Sequence, residues 1–279
     1  MKIGFIGFGE VSSTLAKGLL DEGLEVSTCI VGRSSRTVIM AEKTGVNLLN
    51  SNNELADESD ILISAAVPSQ AEDVAKDIGK NFKGIYVDLN NVSPQTVRNC
   101  LKYFNNSRLV DASIIGSIRQ GLKTLIIASG SHADEFAKLN DYGMNIKVIG
   151  DKVGQASTIK LLRSSFTKGI SAILFETLFS AYKMGLDEEV LDYISITEGP
   201  NFKDSAKSRI ISSAYHSKRR LQELEEINNY LSNLNNPLLN QATLKFYENL
   251  EKNLEQLESR PHDYKQIFAK LSRNKSKKK

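Results

Sequence analysis

The sequence predicts a two-domain α/β protein, with a parallel sheet wrapped by helices in its first half and an all-helical second half. Three observations predict it. Short apolar runs alternate with longer amphipathic stretches from residue 2 to about 150, the pattern of repeated βαβ units. A glycine-rich turn follows the first apolar run directly, and beyond Gly154 the strand-like runs stop.

The strand candidates are 2–7, 25–31, 61–66, 84–89, 109–112, 122–128 and 145–149, each rich in Ile, Val and Leu and bounded by Gly, Asp, Asn, Ser or Pro. Between them, stretches such as 12–22 and 70–81 show helical spacing, so helices should cover both faces of the sheet. A long, largely apolar helix is expected over 155–184 with Gly185 at its C-cap. Because it is apolar around most of its circumference, it suits an element lying between two domains or two subunits. Two further helices follow, at 205–234 with Leu221, Leu224, Ile227, Leu231 and Leu234 on one stripe, and at 240–257 with Leu244, Tyr247, Leu250, Leu254 and Leu257. The expected organisation is a sheet-containing domain over 1–150, an all-helical domain over 151–268, and a disordered basic tail over 269–279.

Composition narrows the function. The chain has 279 residues, 41% hydrophobic and 25% charged, the balance of a soluble globular protein. Its formal charge is +3, and five positive charges lie in the last seven residues; removing those five leaves −2. The body therefore lacks the basic surface that nucleic acid requires. The 2 cysteines, Cys29 and Cys100, have no metal-type spacing, which argues for a reducing compartment, and no apolar run is long enough to span a bilayer. A cytoplasmic protein with neither nucleic-acid nor membrane partners is expected.

The sharpest local signal is Gly4-Phe5-Ile6-Gly7-Phe8-Gly9-Glu10-Val11-Ser12. An apolar strand runs into a glycine turn and then a helix, the arrangement that cradles a dinucleotide pyrophosphate and defines a Rossmann domain. Gly7 permits the turn, Gly9 leaves room for the phosphates, and Phe8, Glu10 and Val11 complete the loop and the first helical turn. Ser12 stands where a third glycine is usual. At the end of the second strand the chain reads Gly32-Arg33-Ser34-Ser35-Arg36 with no carboxylate. An acidic residue there would hold the ribose hydroxyls of NAD, whereas arginine accommodates a 2′-phosphate, so Arg33 and Ser34 favour NADP over NAD.

The ordered set of motifs resembles the β-hydroxyacid dehydrogenase superfamily, which includes 3-hydroxyisobutyrate and 6-phosphogluconate dehydrogenases. Besides the glycine loop, the resemblance rests on Ala65-Ala66-Val67-Pro68, on Val87-Asp88-Leu89-Asn90-Asn91-Val92-Ser93-Pro94, on Asp111-Ala112-Ser113-Ile114-Ile115-Gly116-Ser117, and on Gly154-Gln155-Ala156-Ser157-Thr158-Ile159-Lys160. The segment His216-Ser217-Lys218-Arg219-Arg220 with Glu223 is similar to a branch whose C-terminal domain has no known function. The resemblance implies that Val67, Pro68 and Asn91 join the cofactor site, that Lys160 is the general acid/base, and that Ser113, Gly116, Ser117, Ser164 and His216 contact substrate. Such a lysine makes chemical sense, since hydride reduction needs a proton delivered to the developing alkoxide or amine.

The chain departs from the family pattern at two places. Ser164 replaces the asparagine usual one turn after the lysine, and Ile115 stands at the usual serine while Ser113 occupies the usual proline. Lys160, Ser164 and Lys168 share a helix face by spacing and would line one cleft. Among the histidines, His132 and His262 read as a turn residue and a packing or capping residue, and His216 with Arg220 as candidates for a substrate anion. No metal-ligand cluster is evident. The expected activity is hydride transfer between NADP and a small carboxylate-bearing hydroxy or keto compound by a homodimer. An imine reductase on the same scaffold and a non-catalytic NADP-binding regulator are the alternatives.

Overall fold

The computed structural model describes residues 1–104, 108–254 and 257–276. The chain divides into two compact units, Met1–Leu161 and Leu162–Lys279.

In the first unit the elements run β1 (Lys2–Ile6), α1 (Glu10–Asp21), β2 (Glu25–Cys29), α2 (Ser35–Thr44), β3 (Asn47–Leu49), α3 (Asn52–Asp57), β4 (Ile61–Ser64), α4 (Ala71–Gly79), β5 (Ile85–Asp88), α5 (Pro94–Cys100), β6 (Leu109–Ile115), β7 (Leu125–Ser129), α6 (Ala133–Ala137) and β8 (Asn145–Gly150). They form one sheet of order β3-β2-β1-β4-β5-β6-β7-β8. Alternate residues of each strand feed two cores. Ile3, Phe5, Ile63, Val87 and Val110 face one layer of helices, while Ile6, Leu62, Tyr86 and Leu109 face the other. The order reverses direction at β1 and β4, and such a switch point opens a crevice at the strand C-termini.

Two expectations are corrected in this unit. The sheet is not parallel throughout: β7 runs antiparallel to β6, because the nine residues between Ile115 and Leu125 are too few for the crossover that a parallel pair needs. The strand expected from 122 starts at Leu125, since a 3₁₀ turn occupies Ile118–Lys123 around Gly121 at φ 61°. The sequence reading also missed β3, a three-residue strand pairing with β2.

A continuous helix, α7 (Gln155–Met184), begins in the first unit and ends where Gly185 takes a φ of 71°, as expected of its C-cap. The second unit continues with α8 (Asp187–Glu198), α9 (Phe202–Tyr215), α10 (Ser217–Ser232), α11 (Leu238–Asn253) and α12 (Tyr264–Ser276). Its centre is aromatic: Phe268 of α12, fully buried, meets Phe175, Phe179 and Tyr182 of α7 at ring-centroid distances of 5.2, 5.2 and 5.5 Å.

The single helix expected over 205–234 is two helices, because His216 leaves helical geometry at φ −111° and ψ 24°. The helix expected over 240–257 spans Leu238–Asn253. Helix α8 was not foreseen. The basic end, expected to be disordered from 269, is helical to Ser276; Tyr264, Ile267, Phe268 and Leu271 form a buried stripe that holds it. Residues 277–279 of that tail lie outside the described residues.

Candidate active site

The glycine loop joins β1 to α1 at the head of the crevice. Gly7 has a φ of 80°, and a Cβ built on it would lie 2.7 Å from the Ala66 Cα at the end of β4, so only glycine fits. A Cβ on Gly9 would meet nothing within 4 Å. Gly9 is also the N-cap of α1 and supplies no side-chain cap, so the first-turn N–H groups of Glu10 and Val11 have no such partner. An open concavity before an uncapped helix N-terminus fits the pyrophosphate of a dinucleotide. Phe8 contributes only backbone, for its ring is buried against Phe5 at 6.3 Å. Ser12, fully buried, explains the missing third glycine: its hydroxyl donates to the Gly7 carbonyl at 2.5 Å and ties the helix to the turn.

At the end of β2, Arg33 has a buried Nε with no hydrogen-bond partner. Ser34 caps α2, its hydroxyl accepting from the Thr37 N–H at 3.4 Å. Val67 and Pro68 lie exposed where β4 turns into a 3₁₀ helix. Asn91, after β5, is the only non-glycine residue with positive φ among the described residues, at 60°, a conformation asparagine tolerates well.

Asp88 ends β5 and Asp111 pairs with it in register on β6, so the two carboxylates share one face of the sheet. Asp111 is buried and collects the N–H groups of Gly154 (3.0 Å) and Ser157 (2.9 Å) and the hydroxyls of Ser157 (3.0 Å) and Ser129 (3.3 Å). It thereby caps α7 and fixes where that helix starts. Burial still holds its carboxyl above the usual range, against those four donors. Asp88 is equally buried. Burial raises its pKa to about 6, opposed by hydrogen bonds from Asn90 and by the charge of Lys160. Asn90 in turn accepts from the Ser64 hydroxyl at 2.9 Å and the Ala66 N–H at 2.8 Å, so it links the ends of β4 and β5. Ser113 alternates onto the same face as Asp111 and is buried. Gly116 has a φ of 106° with open space at its Cβ position, and the Ser117 hydroxyl accepts from the Arg119 N–H.

Lys160 therefore stands one turn beyond Ser157, in the first unit, with its charge acting on Asp88. Asp88, Asn90 and Asp111 escaped the sequence reading as functional residues. All three lie in runs that already carried the resemblance, but only Asp88 closes its strand; Asn90 follows β5 and Asp111 sits inside β6, so their grouping depends on strand register.

The remaining expected site residues belong to the second unit. Ser164 accepts a hydrogen bond from the Lys168 ammonium, and Lys168, buried, pairs with Glu223 at 2.7 Å. Lys168 thus serves as the partner of Ser164 and Glu223. The Arg220 guanidinium is held by Ser213, Tyr247 and Ser212 at 2.8–2.9 Å, and so has a structural role within this unit. His216 has its pKa lowered by burial and by Arg219 and Arg220, which makes it a neutral imidazole at neutral pH.

A family model described as NADP oxidoreductase, coenzyme F420-dependent, matches residues 2–92, and one described as a domain of unknown function, DUF1932, matches 181–250. An uncharacterised 28.5 kDa protein of Methanothermus fervidus is 46% identical over 252 residues, 90% of this chain and 99% of its own length. A solved conserved protein of unknown function, described as structurally similar to 3-hydroxyacid dehydrogenases, is 43% identical with a TM-score of 0.81, covering 90% of this chain and 97% of that one. The 2-(hydroxymethyl)glutarate dehydrogenase of Eubacterium barkeri is 27% identical over 74% of this chain and 72% of its own.

This is a pyridine-nucleotide dehydrogenase or reductase of the 3-hydroxyacid dehydrogenase fold. Within that class the chain belongs to the family, shared with the M. fervidus protein, that joins the oxidoreductase module to the domain of unknown function.

Proposed function

We propose that the protein is an NADP-dependent oxidoreductase that passes a hydride between the nicotinamide and a small carboxylate-bearing hydroxy or keto compound, with Lys160 as general acid/base. The observation that carries this reading is the anchoring of the start of α7. Asp111 on β6 fixes it through the Gly154 and Ser157 N–H groups, and Lys160 follows Ser157 by one turn on the same helix, beside the strand ends where α/β sheets bind nucleotides.

When bound, the nicotinamide supplies or accepts the hydride. The chain's own residues do the rest. Backbone groups at Gly7, Gly9, Glu10 and Val11 hold the pyrophosphate, and the unpartnered Nε of Arg33 supports recognition of a 2′-phosphate. Val67, Pro68 and Asn91 flank the cofactor from the ends of β4 and β5. The Lys160 ammonium gives a proton to the developing alkoxide in reduction and takes it back in oxidation. Ser113, Gly116 and Ser117 orient substrate from the end of β6. Two free, buried cysteines suit a reducing compartment such as the cytoplasm.

The test is a screen of small keto acids, with cyclic imines in parallel, following NADPH oxidation. Lys160→Ala should lower kcat by about 10²–10⁴-fold while NADPH binding, read by fluorescence, stays within about twofold. Arg33→Ala should weaken NADPH about tenfold and leave NADH unchanged. Tight NADPH binding with no turnover on any compound and no effect of Lys160→Ala would instead make the chain a nucleotide-binding regulator.

A further inference from the structure

Helices α1 and α2 pack into the same core through Leu15, Leu19 and Ala41, and a groove of about 790 Å³ runs between them. One wall is the α2 stripe Arg36, Ile39, Met40 and Lys43, at the i, i+3, i+4, i+7 spacing of a single helix face. The other is α1, where Thr14 and Lys17 stand one turn apart. Three cations line the groove and no carboxylate does. They are not equivalent. Lys17 is already neutralised on its own helix, its ammonium meeting Asp21 at 2.7 Å. Arg36 and Lys43 are exposed and form no ion pair among the described residues. Arg36 opens the stripe and Lys43 closes it, and the helical rise sets their backbones about 10 Å apart. Between them lie Ile39, 50% exposed, and the half-buried Met40. The hydroxyls of Ser13 and Thr44 are spent on the Glu10 and Met40 carbonyls at 3.2 and 2.7 Å, which leaves Thr14 to donate across the groove. The proposed cofactor contacts in this part of the chain end at Ser34, so they do not account for a cation at each end of an apolar floor.

We infer that the groove between α1 and α2 is a second ligand site, which takes an elongated dianion: two terminal carboxylate or phosphate groups joined by an apolar chain. One end pairs with the Arg36 guanidinium, whose planar fork suits either group, and the other with the Lys43 ammonium. The chain lies on Ile39 and Met40. Because both ends must be met at once, the site selects for length as well as charge, and that separates it from a merely basic surface. It lies wholly within the first unit and is independent of the proposed chemistry.

The test titrates the full-length protein at low ionic strength with straight-chain dicarboxylates from butanedioate to decanedioate, followed by calorimetry and by amide shifts in ¹⁵N NMR. Octanedioate, whose extended length matches the step from Arg36 to Lys43, should bind about fivefold or more tightly than butanedioate. It should exceed octanoate, which has the same chain and one charge, by a similar factor. The shifted amides should cluster at 13–17 and 36–44. Arg36→Met and Lys43→Met should each abolish the preference for octanedioate over octanoate; if Lys43→Met fails to fold, Lys43→Gln makes the same measurement. The bisphosphonate of equal chain length, run in parallel, tells phosphate ends from carboxylate ends by which dianion binds more tightly. Equal binding of butanedioate, octanoate and octanedioate would overturn the site and leave only a basic surface. A loss of NADPH affinity in Lys43→Met as large as the loss of octanedioate would also overturn it, by making the groove an extension of the cofactor site.

Discussion

At the scale of single residues, two glycines two positions apart in the chain do different work. Gly7 is constrained by its neighbours: its φ of 80° and the Ala65 and Ala66 backbone at 2.7–2.8 Å leave no place for a methyl group. Gly9 is constrained by nothing in the chain itself, since its Cβ direction is open. Gly7→Ala should therefore destabilise the fold by about 1–3 kcal/mol, from a disfavoured backbone region and a forced shift of β4. Gly9→Ala should leave the melting temperature within a degree or two, yet weaken NADPH about tenfold, because the methyl occupies the space meant for phosphate. Thermal melts and fluorescence titrations of the two variants separate the roles. An equal loss of stability in both would mean that the open space at Gly9 is closed in solution. Ser12 shows how such residues can mislead. Where a third glycine is usual, it supplies a hydrogen bond to Gly7, so the motif is completed by different chemistry.

At the scale of elements, α12 is held by a charged knot as much as by its apolar stripe. The buried Tyr264 hydroxyl donates to Asp187 at 2.5 Å and to Glu188 at 3.0 Å on α8. Glu188 also accepts from Lys207 of α9 and pairs with Lys203 at 3.1 Å. Partial burial raises the Glu188 pKa, but Lys207, Lys203 and Tyr264 outweigh it and bring the carboxyl down to about 2. A depressed carboxyl stabilises the fold fully above its ordinary value near 4.5 and loses that contribution as pH falls toward 2. Tyr264→Phe should cost about 1–3 kcal/mol at neutral pH, and Glu188→Gln should flatten the acid limb between pH 4.5 and 2. Urea unfolding of wild type and variants across that range would check both, and an unchanged acid limb in Glu188→Gln would deny the knot its part in stability.

The same scale shows what the sequence could and could not tell. The seven strands that bury alternating Ile, Val and Leu were legible because their apolar runs are dense. Strand β3 was not, because three residues carry too little pattern. Helix α12 had a readable i, i+3, i+4, i+7 stripe at Tyr264, Ile267, Phe268 and Leu271, which the basic residues that follow obscured. The break at His216 left no mark, because the stripe read for that helix begins only at Leu221, beyond it. In the site, the glycine loop and the run to Lys160 were legible as local motifs, whereas Asp88 and Asp111 gain their meaning only from strand register.

At the scale of the whole molecule, the second unit leaves apolar surface that its own helices do not cover. Leu162, Phe166 and Ile173 recur along one side of α7 with exposures of 45, 66 and 62%. Phe166 and Ile173 line a groove of about 510 Å³ with Leu239 and Phe246 of α11, and Leu239 is 83% exposed. Contiguous exposed apolar side chains at helical spacing mark an interface more often than a free surface, and a second copy of the same chain is the commonest partner for such a patch. The expected species is a homodimer of twice 30.9 kDa, joined through this face of α7 and α11. Sedimentation at micromolar concentration should give that mass for the wild type. Phe166→Asp combined with Ile173→Asp should give the single-chain mass, with far-ultraviolet circular dichroism unchanged because both side chains are already solvent-facing in the lone chain. A wild type that sediments as a single chain would mean that this groove serves something other than a second copy.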